Sequence, residues 1–250
     1  MNKKIIYDLG ANNGDDIPYY LLKADLVVAV EANPVLCNLM RGRFKEDIAR
    51  GRLIIENCIL TAEASSEQVA FYIHKTNHVL SQLPKPSKLE HFKEVFLKSK
   101  NVIDLIKGYG APFYVKVDIE HYDQEILYEI FSNNIIPPYI SSESHNIKVF
   151  STLVALGGYN AFKLVDGLAV SRRYKDCEIT TSIGLIKYAF PHHSAGPFGG
   201  DISGPWMTAN NFFSLLAYVG LGWKDIHATN IEVADPQYAP KPKFNIKIDF

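Results

Sequence analysis

The chain has 250 residues, with 26 Lys and Arg against 27 Asp and Glu and a net charge of −1. That is enough for one large α/β domain with its own core and too little for two generous ones, and the scattered basic residues exclude the electrostatic footprint of a nucleic-acid binder. Cys37, Cys58 and Cys177 stand far apart with no Cys-x-x-Cys pair, which argues against thiolate metal binding and a disulfide framework. No apolar run approaches the ~18 residues of a membrane span, and Met-Asn-Lys-Lys leads straight into a strand, so a soluble cytoplasmic protein is expected.

Lys4 to Leu9 reads as the first strand, followed by a helix from about Asp16, a strand over Leu26 to Glu31, a helix from about Pro34 and a strand over Leu53 to Asn57. Pro34 suits a first helical turn, where a missing N–H costs nothing. Strands separated by helical patterns imply right-handed crossovers and a parallel sheet. Gln68 to Ile73 and Glu94 to Lys98 alternate polar with apolar residues and are expected to pair near an edge, with Pro84-Lys85-Pro86 interrupting regular structure between them.

Phe113 to Asp118 is the next buried strand, and the helix after it carries Ile126, Leu127, Ile130 and Phe131 on one face. Tyr139 to Glu143 reads as strand, Val149 to Leu156 as a helix stopped by Gly157-Gly158, and Asn160 to Val165 as strand. A glycine- and proline-rich stretch, His192 to Pro205, precedes a helix over Ala209 to Val219 and a last strand over Trp223 to His227. The expected fold is a single Rossmann-like α/β domain over 1–230, with a mostly parallel seven-stranded sheet and helices on both faces. The tail over 231–250, with Pro236, Pro240 and Pro242, is expected on the surface, within reach of a partner subunit should the protein be a homo-oligomer.

The most informative feature is Asp8-Leu9-Gly10-Ala11-Asn12-Asn13-Gly14 after the first strand, with Glu31 closing the second. Their separation is near the ~20 residues expected across one βαβ unit. Glycines let a backbone approach a ligand closely, and a carboxylate at the end of the second strand can accept both ribose hydroxyl protons. Asp8 would repel the pyrophosphate of a dinucleotide, which opposes a nicotinamide dehydrogenase, and would attract a cationic ligand. S-adenosyl-L-methionine, with its sulfonium and α-ammonium groups, is such a nucleoside.

A second block, Lys116-Val117-Asp118-Ile119-Glu120 with Tyr122-Asp123 and Ile126-Leu127, completes a pattern. Together the two blocks resemble the FkbM family of S-adenosylmethionine-dependent methyltransferases, whose members carry an Asp-Leu-Gly-Ala-Asn-x-Gly turn and a Lys-Ile-Asp-Val-Glu-Gly-like strand end. The resemblance extends to Tyr139-Ile140-Ser141-Ser142-Glu143, to Gly158-Tyr159 with Phe162-Lys163, and to Ser194-Ala195-Gly196-Pro197-Phe198-Gly199, and so covers most of the chain. It departs at His121, where the family usually has Gly, and at Pro34, which arrives later than the family's Pro after the acidic residue of the second strand.

The resemblance implies a class I methyltransferase domain. Asp8, Gly10, Ala11, Asn12 and Gly14 would surround the methionine part of the cofactor, Glu31 the ribose, and Asn57 with Cys58 the adenine edge, with Asn33 and Asp118 completing the cofactor set. It also implies a small-molecule acceptor, a hydroxyl of a sugar, nucleotide sugar or related glycan-like compound. N-methylation of a small metabolite and a non-catalytic S-adenosylmethionine-binding protein stand as alternatives.

Ligands collect at strand carboxyl ends in such sheets, so Asp118, Glu120, His121, Glu143 and His145 are expected to converge near the transferable methyl group. Among them Glu120, His121 and His145 are assigned as the catalytic group, an imidazole serving as the natural base. The same group admits magnesium or manganese, yet the sequence fixes no coordination geometry and no metal ligand is assigned. His192-His193, next to Gly196-Pro197-Phe198-Gly199-Gly200, points to a lid over the acceptor within 192–205.

Overall fold

The structure is a computed structural model and describes residues 3–66, 68–181 and 184–240. Its main sheet is built from β1 (Ile5–Leu9), β2 (Leu26–Glu31), β3 (Leu53–Asn57), β4 (Tyr114–Val117), β5 (Tyr139–Ser144), β6 (Ala161–Asp166), β7 (Trp206–Met207), β8 (Gly222–Thr229) and β9 (Ala234–Asp235). The strands lie side by side in the order β3-β2-β1-β4-β5-β8-β6-β7-β9. Five of them, β3 to β5 in that order, run parallel, while β8 is antiparallel to both neighbours. This is the expected open Rossmann-like sheet, with nine strands where seven were expected. The additions are β7 and β9, two residues each at one edge, too short to leave a periodic signature in sequence.

The continuous apolar run of β1, all five residues buried, is what a strand covered on both faces requires. Side chains alternate between the two faces. Tyr7 and Leu9 pack with Leu105, Ile126, Ile130 and Leu153 on one side, and Ile6 packs with Ile17, Tyr20, Cys37 and Met40 on the other. Helix Pro34–Arg43 starts where Pro34 predicts, with the Asn33 side chain accepting from the Val35 N–H. Helix Val102–Tyr109 was not among the expected elements. It begins on Asn101, whose side chain accepts from the Ile103 and Asp104 amides, an N-cap signal the sequence does carry.

Residues 59–101 form an insertion on this frame. Ile59–Thr61 pairs in parallel with Ser99–Asn101, and Val69–His74 pairs with Phe92–Leu97 in an antiparallel ribbon. The two alternating segments thus pair with each other and form a sheet separate from the main one. A hairpin of Cys177–Thr181 with Gly184–Tyr188, also unexpected, packs Ile179 into the second core. Of the tail, residues 234–235 join the sheet, and the Asn211 side chain donates to the carbonyls of Pro236 and Tyr238; the tail residues 241–250 lie outside the described residues.

Candidate active site

The strand order reverses between β1 and β4, and ligands in open α/β sheets bind in the crevice outside the carboxyl ends at such a point. Gly10 leaves β1 there with φ 92°, and a Cβ on it would lie 1.7 Å from the Asp118 carbonyl oxygen, so only glycine fits. The amides of Gly10 and Ala11 donate to the Val30 carbonyl at 3.0 and 2.9 Å. One turn later, the Glu31 carboxylate accepts from the Asn12 amide at 2.9 Å and the Asn33 amide at 2.7 Å. Each carboxylate oxygen keeps a lone pair free. Burial pushes the Glu31 carboxyl up to about 7 against those two stabilising bonds.

Below this turn lies a buried ionic knot. Lys116, 4% exposed, sits 3.3 Å from an Asp8 oxygen, 3.3 Å from an Asp118 oxygen and 4.0 Å from Asp16, and donates to the Gly10 carbonyl at 3.2 Å. Asp8 is 1% exposed. Its charge is taken up by Lys116 within the protein rather than offered to a cation in the crevice. Asp16 in turn accepts from the Ser194 hydroxyl and, at 3.1 Å, from the Ala195 amide.

A cavity of about 540 Å³ opens over the crevice, within the usual range for small-molecule sites. Of the sequence-assigned residues, Gly10, Asn12, Glu31, Cys58, Asp118, Glu120, His121 and His145 line it. Val30, Ile59, Leu60 and Phe71 make an apolar wall beside Glu31, and residues 77–81 of the insertion close that side. Burial drives the Cys58 thiol up to about 12, so it serves as an inert wall group.

The opposite end gathers titratable groups from two neighbouring parallel strands. Glu120 and His121 follow β4 and hold φ of 45° and 68°, a left-handed turn. Glu143 is the penultimate residue of β5 and His145 follows the strand. The His145 Nε2 lies 2.9 Å from a Glu143 oxygen and 3.6 Å from a Glu120 oxygen, and the rings of His121 and His145 are 4.8 Å apart. Burial, together with the charges of Asp118 and Glu143, raises Glu120 to about 8; burial and Asp118 raise Glu143 to about 8. Burial and the neighbouring His145 lower His121, which keeps its imidazole neutral near pH 7.

Asp8, Ala11, Gly14, Asn33 and Asn57 do not line the cavity. Ala11 is buried in the second core. A Cβ on Gly14 would meet Phe44, Ile17 and Met40 at 2.9–3.0 Å, so packing of the turn on the helices accounts for that glycine. Asn33 caps a helix and holds Glu31, and the Asn57 side chain donates to the carbonyls of Glu31 and Ala32 at 3.0 and 2.9 Å. These residues shape the site from behind.

Much of the segment 192–205 packs into the core. Ser194, Ala195 and Phe198 are buried, the Phe198 amide donates to the Tyr19 hydroxyl at 3.1 Å, and the Phe198 ring stacks on Tyr114 at 4.1 Å. From this segment His193 reaches the cavity, stacked on Trp223 with ring centroids 6.1 Å apart. Trp223, Phe71 and residues 77–81 carry no motif in the sequence. A tryptophan in a strand start and an apolar residue in an alternating ribbon read equally well as packing.

No protein-family model and no curated protein matches the sequence. Among solved structures, the precorrin-6y C5,15-methyltransferase of Geobacter metallireducens is similar over 76% of this chain and 76% of its own, at 11% identity and a TM-score of 0.38. The precorrin 8W decarboxylase of Methanobacterium thermoautotrophicum matches over 92% and 83%, at 9% identity and 0.39. An S-adenosylmethionine-dependent O-methyltransferase of Thermotoga maritima matches over 94% of this chain and 62% of its own, at 10% identity and 0.40. A likeness of this size bears on neither reaction nor substrate.

Proposed function

We propose that the protein is an FkbM-like methyltransferase that transfers the methyl group of S-adenosyl-L-methionine to a hydroxyl of a sugar, nucleotide sugar or similar small molecule. One observation carries the reading: a single cavity joins the Glu31 carboxylate, which has two free lone pairs, to a cluster of carboxylates and imidazoles at the ends of β4 and β5. The residues present fit the cofactor. Glu31 accepts the two ribose hydroxyls, the apolar wall of Val30, Ile59, Leu60 and Phe71 takes a flat base, and Asp118, a lining residue with a partly exposed side chain, receives the amine. The sulfonium supplies an activated methyl group, so the protein must align an oxygen nucleophile at about 3 Å and help remove its proton.

His121, neutral near pH 7 and lining the cavity, is suited to take that proton. Glu120 and His145 stand beside it as the remaining members of the catalytic group. Trp223, half-buried at the cavity wall, offers an aromatic face to a sugar ring. Calorimetric titration with S-adenosylmethionine should give one site per chain, and incubation with methyl-labelled cofactor and a panel of sugar nucleotides should transfer label. Binding without transfer to hydroxyl or amine acceptors would favour a non-catalytic cofactor-binding protein, and absence of binding would reject the reading outright.

A further inference from the structure

The geometry at the acceptor end of the cavity is not that of an ordinary ion pair. His145 Nε2 is buried and lies 2.9 Å from Glu143 and 3.6 Å from Glu120, yet it makes a hydrogen bond to neither. The ring nitrogen and the two carboxylate oxygens converge without the alignment a shared proton would impose. One atom from each of the three residues lies within 4.8 Å of the others. Ligands about 2.1 Å from a common ion stand roughly 3.0–4.2 Å apart, so a shift of about half an ångström in the widest pair completes a coordination set.

A second buried group points the same way. Asp123, 2% exposed, uses Oδ1 to accept from the Ile119 amide at 3.1 Å, which ties down the turn that carries Glu120. Its other oxygen, Oδ2, meets no donor among the described residues, and the charges it feels are those of Asp118, His145 and Glu143. A buried acceptor without a donor, beside a converging set of ligands, is where a water held by an ion would donate. Lys116 does not fill this need, being shared among Asp8, Asp16 and Asp118.

We propose that Glu120, Glu143 and His145 bind one divalent cation, with open positions that face the cavity and take two adjacent hydroxyl oxygens of the acceptor. Two carboxylates with one imidazole form a donor set intermediate between all-oxygen and thiolate sites, which suits Mn2+. The part concerning the acceptor rests on the methyltransferase reading and narrows its substrate to a vicinal diol; the cation site itself does not depend on it.

The test uses the full chain stripped with EDTA and titrated with Mn2+ alone, following loss of the free-ion electron paramagnetic resonance signal. One Mn2+ per chain is expected, bound at least tenfold more weakly by Glu143→Gln and by Glu120→Gln, with circular dichroism confirming that each variant is folded. His145→Gln serves in place of either variant that fails to fold. No binding by the wild type, or unchanged binding in the folded variants, overturns the site. S-adenosylmethionine affinity, measured calorimetrically on the same EDTA-treated protein, separates the two readings. Cofactor binding without Mn2+ binding sinks the cation site alone, and Mn2+ binding without cofactor binding sinks the methyltransferase reading alone. With both bound, Mn2+ should increase transfer to vicinal diols at least tenfold more than to an otherwise equal acceptor with one hydroxyl removed; equal stimulation overturns chelation of the acceptor.

Discussion

Glu31→Gln probes the proposed cofactor end of the cavity most directly. The native carboxylate accepts the Asn12 and Asn33 amides, one on each oxygen, and the proposed diol would take the remaining lone pairs. A glutamine has one oxygen to offer, and its NH2 group would face a backbone N–H. One backbone bond and one hydroxyl contact lose their acceptor altogether, and the other two lose its charge. Hydrogen bonds to charged groups are worth about 1.5–3 kcal/mol, so binding should weaken roughly tenfold to a hundredfold.

The pH dependence supplies a signature that loss of fold would not mimic. Burial sets the Glu31 carboxyl at about 7 in the free protein, and two donating hydroxyls favour its ionised form. Affinity should therefore rise as pH increases from 6 to 8, level off above the free-protein value, and show no such slope in Glu31→Gln. Calorimetry with 5′-deoxy-5′-methylthioadenosine, which keeps the diol and lacks the titrating amine, isolates this group. Wild-type affinity in the variant, or a flat wild-type profile, would refute the ribose assignment.

Lys116→Met leaves Asp8 and Asp118 without their buried cation and should destabilise by about 3–5 kcal/mol in denaturant unfolding, whereas Lys116→Met with Asp8→Asn should recover part of the loss; equal stability of Lys116→Met and wild type would disprove the knot. His121→Gly removes a left-handed non-glycine and should stabilise by about 1 kcal/mol while lowering turnover, and a variant with full turnover would take His121 out of catalysis. Phe198→Ala empties the stack on Tyr114 and should cost about 3–5 kcal/mol, a loss that a mobile lid residue would not show. His227 is fully buried, and burial with nearby Lys163 holds its imidazole down at about 3, so the unfolded chain takes up a proton there that the folded chain refuses. Stability should accordingly fall as pH drops below about 6.5, and His227→Gln should flatten that decline in thermal melts between pH 7 and 4.5.

The Glu31 end of the cavity was legible because its constraints are local. Gly10 must be glycine since the Asp118 carbonyl leaves no room for a Cβ, and Glu31 must end β2 since it holds amides two residues ahead and a turn behind. Such constraints leave a spaced motif. Asp8 and Gly14 belong to the same motif for other reasons, a buried countercharge to Lys116 and packing against Phe44 and Met40. Sequence spacing does not distinguish a residue that touches a ligand from one that supports the backbone which does. The edge strands β7 and β9 are too short to leave a periodic pattern in the sequence, and helix Val102–Tyr109 is announced there only by its capping Asn101.

The acceptor end obeys a different logic. Its wall combines the turn after β4, the turn after β5, His193 and the start of β8 at Trp223, segments brought together by the parallel crossover from β4 to β5 and by the antiparallel pairing of β5 with β8. None of these contacts is enforced by a neighbour in sequence, so each position is free to vary with the molecule it receives while the sheet beneath stays the same. His121 is the sharpest instance: a φ of 68° favours glycine there on conformational grounds alone, and an imidazole is retained against that preference at a point where it faces the cavity. A side chain held against backbone preference beside a cluster of titratable groups is an observation that points toward function, and under the proposed methyltransferase reading it would put the selection of the acceptor in the turn after β4 and its facing wall, away from the glycine-rich turn.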